Sequence, residues 1–211
     1  MSKHLGRFLV VGTCLLSNSA LAAIIDFDFR TWYVDSVPSA QFSAGGVTTN
    51  VTAWSLTTNN TYAQGSLKLS PLGLGVDNAG NDNSPLVDNG PPTTGWDDFV
   101  AFQFSQPVSV TRVSIYPFGD VDVSYNFDAT TTSWISQQGD ATSFPQWIVL
   151  NLTQMSQYFR FGAAQGQNDD SFTIAGLQLQ TGARAVSEPG TLGLIGAGLI
   201  GLGLIRRRKL S

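Results

Sequence analysis

Cysteine, histidine and glutamate are nearly missing from this chain: each occurs once, as Cys14, His4 and Glu188. All three lie close to the ends, so residues 23–186 contain none of them. That absence excludes a Ser-His-Asp triad, a Cys-His pair and a histidine-based zinc site from the central segment. It also excludes a disulfide there, so stability must come from a core, or from a core plus a metal. Bases are scarce as well. Residues 23–186 carry fourteen aspartates against Arg30, Lys68, Arg112, Arg160 and Arg184, a net charge of −9, compared with −4 for the whole chain. Such a segment repels phosphates, which excludes nucleic acid as a partner and suits cations or neutral sugars. No glycine loop of the P-loop or dinucleotide type is present, no repeat of fixed period recurs, and no long 3.6-period stretch occurs away from the ends.

What is present begins with two terminal signals. Lys3, His4 and Arg7 precede an apolar run over 8–16, and Ala20-Leu21-Ala22 supplies the small residues a signal peptidase accepts. Residues 1–22 therefore read as a signal peptide cleaved after Ala22; the run is too short for a membrane span, which needs about 20 residues. Cys14 does not make a lipid-attachment box, because Thr13 stands where Gly or Ala is wanted. At the other end, Ser187-Glu188-Pro189 leads into an uncharged Gly/Leu-rich run over 190–205 and then Arg206, Arg207, Arg208 and Lys209. As a helix that run reaches roughly 24 Å at 1.5 Å per residue, slightly under the hydrocarbon core of ~30 Å. Snorkelling by Arg206 and local thinning cover the difference. The basic cluster stays cytoplasmic and places everything upstream outside.

The order of Ser187-Glu188-Pro189, apolar run and terminal basic cluster resembles the PEP-CTERM sorting signal. The resemblance implies an exosortase as partner, a single transmembrane helix within 189–209 before processing, and a body then released or attached at the cell surface or in the exopolysaccharide matrix. Ser187 stands where that motif usually has its first proline; Glu188 and Pro189 match. A plain membrane anchor without processing is the alternative.

The body, 23–180, joined to the tail by a linker over 181–188, is rich in Val, Ile, Thr and aromatics and punctuated by Gly, Asn, Asp and Pro. Its runs are short and alternate with period two. Over 24–32, Phe27 and Phe29 share one face and Asp26 and Asp28 the other. Val100, Phe102 and Phe104 point inward, then Val108 and Val110; a bulge near Thr111-Arg112 shifts the phase to Val113 and Ile115. Val121, Val123 and Tyr125 alternate. Over 146–152, Trp147 and Val149 oppose Ile148, Leu150 and Leu152. Residues 158–161 form a short strand. Phe172 and Ile174 give way to Leu177 and Leu179 after a phase change at Gly176. Many short strands joined by turns predict an all-β sandwich or jelly roll. The stretch Leu72-Gly73-Leu74-Gly75-Val76, then Val87-Asp88-Asn89, Asp97-Asp98-Phe99 and Pro107-Val108, is similar to the extracellular body common in PEP-CTERM proteins, which resembles galactose-binding-like jelly rolls.

Chemistry in the body rests on aspartate and tryptophan. Asp97-Asp98 and Asp169-Asp170 are the paired carboxylates a glycosidase would need, but neighbours on a strand point to opposite faces, so each pair offers one inward carboxylate. The turn-rich segment 77–98 gathers Asp77, Asn78, Asp82, Asp88, Asn89, Asp97 and Asp98, oxygen ligands of the kind Ca²⁺ takes, with ordinary Asx turns as the alternative. The calcium candidates are Asp77, Asp88, Asp97 and Asp98. Of Trp32, Trp54, Trp96, Trp134 and Trp147, Trp96 and Trp134 sit in turn-like contexts and are the better candidates for exposure and stacking on sugars, burial in a sandwich core being the more usual role of tryptophan. The expectation is a non-catalytic surface or matrix protein with polysaccharide as candidate ligand. A carbohydrate-active enzyme using aspartate pairs is one alternative. An ice-binding surface is another, for which Thr48, Thr49, Thr57 and Thr58 are suggestive without forming a regular array.

Overall fold

A computed structural model of the chain describes residues 22–32, 35–57, 59, 61–78, 85–89, 97–119, 121–127, 134–139, 145–150, 154–164 and 170–182. The described residues are all-β, and Ala22–Gly182 forms one compact unit. The expected signal peptide, the linker beyond Gly182 and the tail lie outside them, apart from Ala22. Among the described residues no helix is long and apolar enough to cross a membrane.

The first strand, β1 (Ile24–Asp28), alternates as its sequence predicts, with Ile25 and Phe27 buried and Asp26 and Asp28 exposed. It stops because Asp28 Oδ1 accepts the Arg30 backbone N–H at 3.0 Å, a side-chain bond that competes with the strand ladder. Phe29, just past the strand, is fully buried and still donates its N–H to Ala175 O at 2.9 Å.

Six strands follow that the period-two reading did not single out: β2 (Asp35–Val37), β3 (Ala40–Ala44), β4 (Val47–Leu56), β5 (Tyr62–Gln64), β6 (Ser66–Ser70) and β7 (Gly73–Asp77). In β4 Thr49 and Ser55 occupy inward positions, which hides the alternation there. In β4, Val47, Thr49, Val51, Ala53 and Ser55 are buried, whereas Asn50 is exposed and Thr48 and Thr52 only partly covered. Thr48 and Thr49 therefore face opposite ways. Gly45 and Gly46, with φ of 52° and 77°, close the β3–β4 hairpin in the left-handed conformations a two-residue turn demands.

The remaining strands are β8 (Val87–Asp88), β9 (Asp97–Pro117), β10 (Val121–Asn126), β11 (Ile135–Gly139), β12 (Gln146–Val149), β13 (Ser156–Ala163) and β14 (Ser171–Thr181). Every pairing is antiparallel, and the main hydrogen-bonded order is β11-β10-β13-β9-β14-β7-β6-β2. The 21-residue β9 is the hub. Its first part pairs with β4 on one side and β13 on the other; its second part lies between β14 and β12. Being central explains a difference from the sequence expectation. Phe99 and Ala101 are buried along with Val100, Phe102 and Phe104, because both faces of this part of β9 are covered.

Both predicted phase changes are present. On β14 the register against β9 shifts between Gln178 and Leu179, opposite Arg112 and Val110, which leaves Thr111 as the extra residue. A second shift falls between Ile174 and Gly176. The aromatic core ties distant strands together. Phe29 stacks on Phe102 at 5.5 Å and meets Phe42 edge-on at 4.9 Å, Phe102 contacts Phe159 at 6.1 Å, and Phe161 meets Phe172 edge-on at 5.8 Å. An open sheet folded over such a core is consistent with a β-sandwich.

Candidate functional site

The outer face of β1, β14, β9 and β12 is assembled by register. Asp28 lies opposite Gly176, Gly176 opposite Ser114, and Ser114 opposite Trp147. One step along, Asp26 lies opposite Gln178, Gln178 opposite Arg112, and Arg112 opposite Val149. Residues directly opposite share a face, so four separate stretches of chain supply one surface. Three strand spacings of about 4.8 Å separate Asp28 from Trp147, roughly 14 Å.

A cleft of about 300 Å³ lies on this face, bordered by Asp28, Arg30, Ser114, Pro145, Trp147 and Gly176. Gly176 is required there, since a Cβ would stand 2.5 Å from the Phe27 carbonyl oxygen. A second cleft, about 330 Å³, is bordered by Asp28, Arg30, Thr31, Trp32 and Pro71. The two share Asp28 and Arg30. These residues form a two-pronged ion pair, in which Arg30 Nε donates to Asp28 Oδ1 at 2.9 Å and Nη2 to Oδ2 at 2.7 Å. The hydrogen bonds from Arg30 hold the Asp28 carboxyl below the usual carboxylate range.

Polar groups around the pair are also tied down. Gln178 Nε2 donates to Asp26 Oδ1 at 2.8 Å. The Arg112 guanidinium lies over the Trp147 ring, 4.5 Å from its centre, which braces the indole by a cation–π contact. Trp147 remains 39% exposed and Trp32 is 98% exposed. The expected pair was Trp96 and Trp134. Trp96 lies outside the described residues. Trp134 is partly buried, packed edge-on against Phe99 at 5.0 Å, because the first part of β9 needs a cover on that side. Trp54 is partly buried and donates its Nε1–H to Thr52 Oγ1 at 2.9 Å. Sequence context misjudged exposure here; the signal that was available was Trp147 on the face of its strand opposite Ile148 and Leu150.

The acidic candidates separate into two groups. Asp98 is almost wholly buried; Ser55 Oγ donates to its Oδ1 at 2.5 Å, and Asn78 Nδ2 donates to Oδ1 at 3.0 Å and Oδ2 at 3.3 Å. Asp77, next to Asn78, is exposed and accepts from Ser36 Oγ at 3.3 Å. In the second group, Asn89 bridges to Asp97, and Asn89 Nδ2 donates to Asp170 Oδ2 at 2.6 Å. The Asp122 N–H donates to Asp170 Oδ1 at 2.5 Å. Asp88, beside Asn89, is buried on β8, which pairs with β14. Burial first, and then the Asp170 charge, pushes the Asp97 carboxyl up to about 6. One member of each aspartate pair is thus brought near the other, while Asp169 lies outside the described residues. The cavity bordered by Asp97, Asp98, Phe99 and Trp134 holds about 10 Å³, room for no more than a water. Among the described residues no three acidic, histidine or cysteine side chains are grouped to hold a metal ion; Asp82 lies outside them.

Ser187, Glu188, Pro189 and the cluster Arg206, Arg207, Arg208 and Lys209 also lie outside the described residues. No curated protein and no solved structure matches the chain. Residues 185–209 match the model of the PEP-CTERM protein-sorting motif. The chain therefore carries a PEP-CTERM sorting signal at its C-terminal end, which implies export and an exosortase as its processing partner.

Proposed function

We propose that this is a non-catalytic protein of the cell surface or exopolysaccharide matrix, delivered by its sorting signal, whose β-sandwich body binds polysaccharide. On this reading the body is a jelly roll of the galactose-binding-like kind and the tail crosses the membrane with a cytoplasmic C-terminus until it is processed. The observation that carries polysaccharide binding is the pairing of exposed indoles, Trp32 and Trp147, with two clefts that share a fixed Asp28–Arg30 fork. Flat aromatic faces pack on the apolar faces of sugar rings, and planar side chains held in place address their hydroxyls. A non-catalytic role is supported by the small size of the cavity that the described residues form at Asp97 and Asp98, about 10 Å³, well below the volume of a sugar ring. The ice-binding alternative gains nothing from Thr48 and Thr49, which face opposite sides of β4.

The test is co-sedimentation of the mature protein, recovered from an exosortase-containing host, with insoluble polysaccharide from that host and with cellulose and curdlan. Retention on polysaccharide without release of reducing sugar is expected. Release of reducing ends would favour the enzymatic alternative, and failure to sediment with any of them would remove the binding role.

A further inference from the structure

We infer that the Trp147 cleft and the Trp32 cleft are two subsites of one site, which holds an interior stretch of a neutral polysaccharide chain. The inference rests on the polysaccharide-binding reading and adds to it the location, the mode and the charge class of the ligand.

Continuity comes from Asp28 and Arg30, which border both clefts, so a chain filling one meets the same fork on entering the other. Each cleft has an indole of its own, Trp147 in the first and Trp32 in the second. Volumes of about 300 and 330 Å³ lie at the small end of the ~300–1,000 Å³ usual for ligand pockets, the scale of a short saccharide rather than a whole chain. Neither cleft is an enclosed cavity, so nothing demands a chain end. The first runs across four strands, roughly 14 Å from Asp28 to Trp147, long enough for linked sugar rings laid across the strand direction.

The charge class follows from pairing. Asp28 is neutralised by Arg30, Asp26 takes a hydrogen bond from Gln178, and Arg112 is committed to the Trp147 ring. The surface thus presents two carboxylates and two guanidiniums with no surplus positive charge to hold a uronate or sulfate. The body around it carries a net charge of −9, which disfavours a polyanion at long range. The fork, the glutamine bond and the braced indole are in place before any ligand arrives, so little ordering cost falls on binding.

The experiment is a titration of the mature protein, followed by tryptophan fluorescence, with gluco-oligosaccharides of one to six units in β-1,4 and β-1,3 linkage and with alginate oligomers of the same lengths. Affinity should rise at least tenfold from the monosaccharide to the hexasaccharide in one neutral series, with alginate bound at least tenfold more weakly. Trp147→Ala should weaken hexasaccharide binding at least tenfold. Trp32→Ala should flatten the dependence on length while leaving the shortest ligands within twofold; Trp32 is almost wholly exposed, so its truncation leaves the fold intact. Ile135→Ala, an exposed position on β11, should match the wild type. Polysaccharide retention with both tryptophan variants unchanged would overturn this site and leave the binding reading standing. Equal affinity for one and six units would overturn the two-subsite arrangement, and preference for alginate would overturn the neutral class. No response to any neutral series, together with failure to sediment with polysaccharide, would remove both.

Discussion

Asp97 sits partly buried beside Asp170, a carboxylate held by the Asp122 N–H and by Asn89 Nδ2. A carboxyl raised to about 6, against 3.8 when free, binds its proton more tightly in the folded state. The stability it contributes is complete below about 3.8 and is lost as pH rises through about 6. Asp97→Asn removes that dependence. Its melting temperature should be close to the wild type near pH 4 and should exceed it by a margin that grows up to about pH 6 and then levels off, as followed by circular dichroism from about pH 4 to pH 8. Parallel melting curves for the two proteins would show that Asp97 is better solvated than its surroundings imply. Asp28 behaves in the opposite way, since Arg30 favours its ionised form, but the pair is exposed and adds little to stability. Its fixed geometry matters more than its energy.

At the scale of the strand, β7 joins β14 through the single register pair Leu74–Ile174, and Gly73 is what permits it. Its φ of 122° is a conformation that side chains with a Cβ avoid, and a Cβ there would stand 2.2 Å from the Ile174 carbonyl oxygen. Gly73→Ala should therefore destabilise the protein by about 1–3 kcal/mol, and by more if β7 separates from β14. Urea unfolding measures this, and a loss within 0.5 kcal/mol, the usual surface range, would show that the backbone relaxes around the methyl. The same scale shows why some strands were legible and others were not. In β1, Ile25 and Phe27 alternate with Asp26 and Asp28, and the two faces could be read directly. In β4 the inward positions include Thr49 and Ser55, the latter bonded to Asp98, so hydrophobic period two gives no clear signal. The bulge at Thr111 was legible because the spacing of the buried valines slips there by one.

For the molecule as a whole, a sorting signal follows a body that has no cysteine and so no disulfide to stabilise it. Export and sorting follow from the motif at 185–209; the cut sites are expectations with a direct measurement. Intact-mass and terminal sequencing of protein recovered from an exosortase-containing host should find Ala23 at the N-terminus and no residue beyond the neighbourhood of Glu188-Pro189. Deleting residues 206–209 should abolish tail removal if, as proposed, the tail spans the membrane and its basic end keeps it there until processing. A surface form with its tail intact would favour the plain anchor. Thr181 donates its N–H to Ala23 O at 3.0 Å, so the first and last described strands are laced together where the expected signal peptide ends and the expected linker begins.

Sequence alone determined the sorting signal, the all-β class, the inward faces of β1 and the second part of β9, and the lack of histidine and cysteine side chains in residues 23–186. Each of these depends on residue type or on spacing within one strand. Only the tertiary structure decided which strands became neighbours. Period two says which side chains share a face of their own strand, but it carries no information on the partner strand or its register. Trp147 meets Asp28 across β9 and β14, and Asp97 approaches Asp170, through pairings between stretches far apart in the chain. For the same reason the exposed indoles are Trp32 and Trp147 rather than Trp134, because exposure is set by what the neighbouring strands leave uncovered.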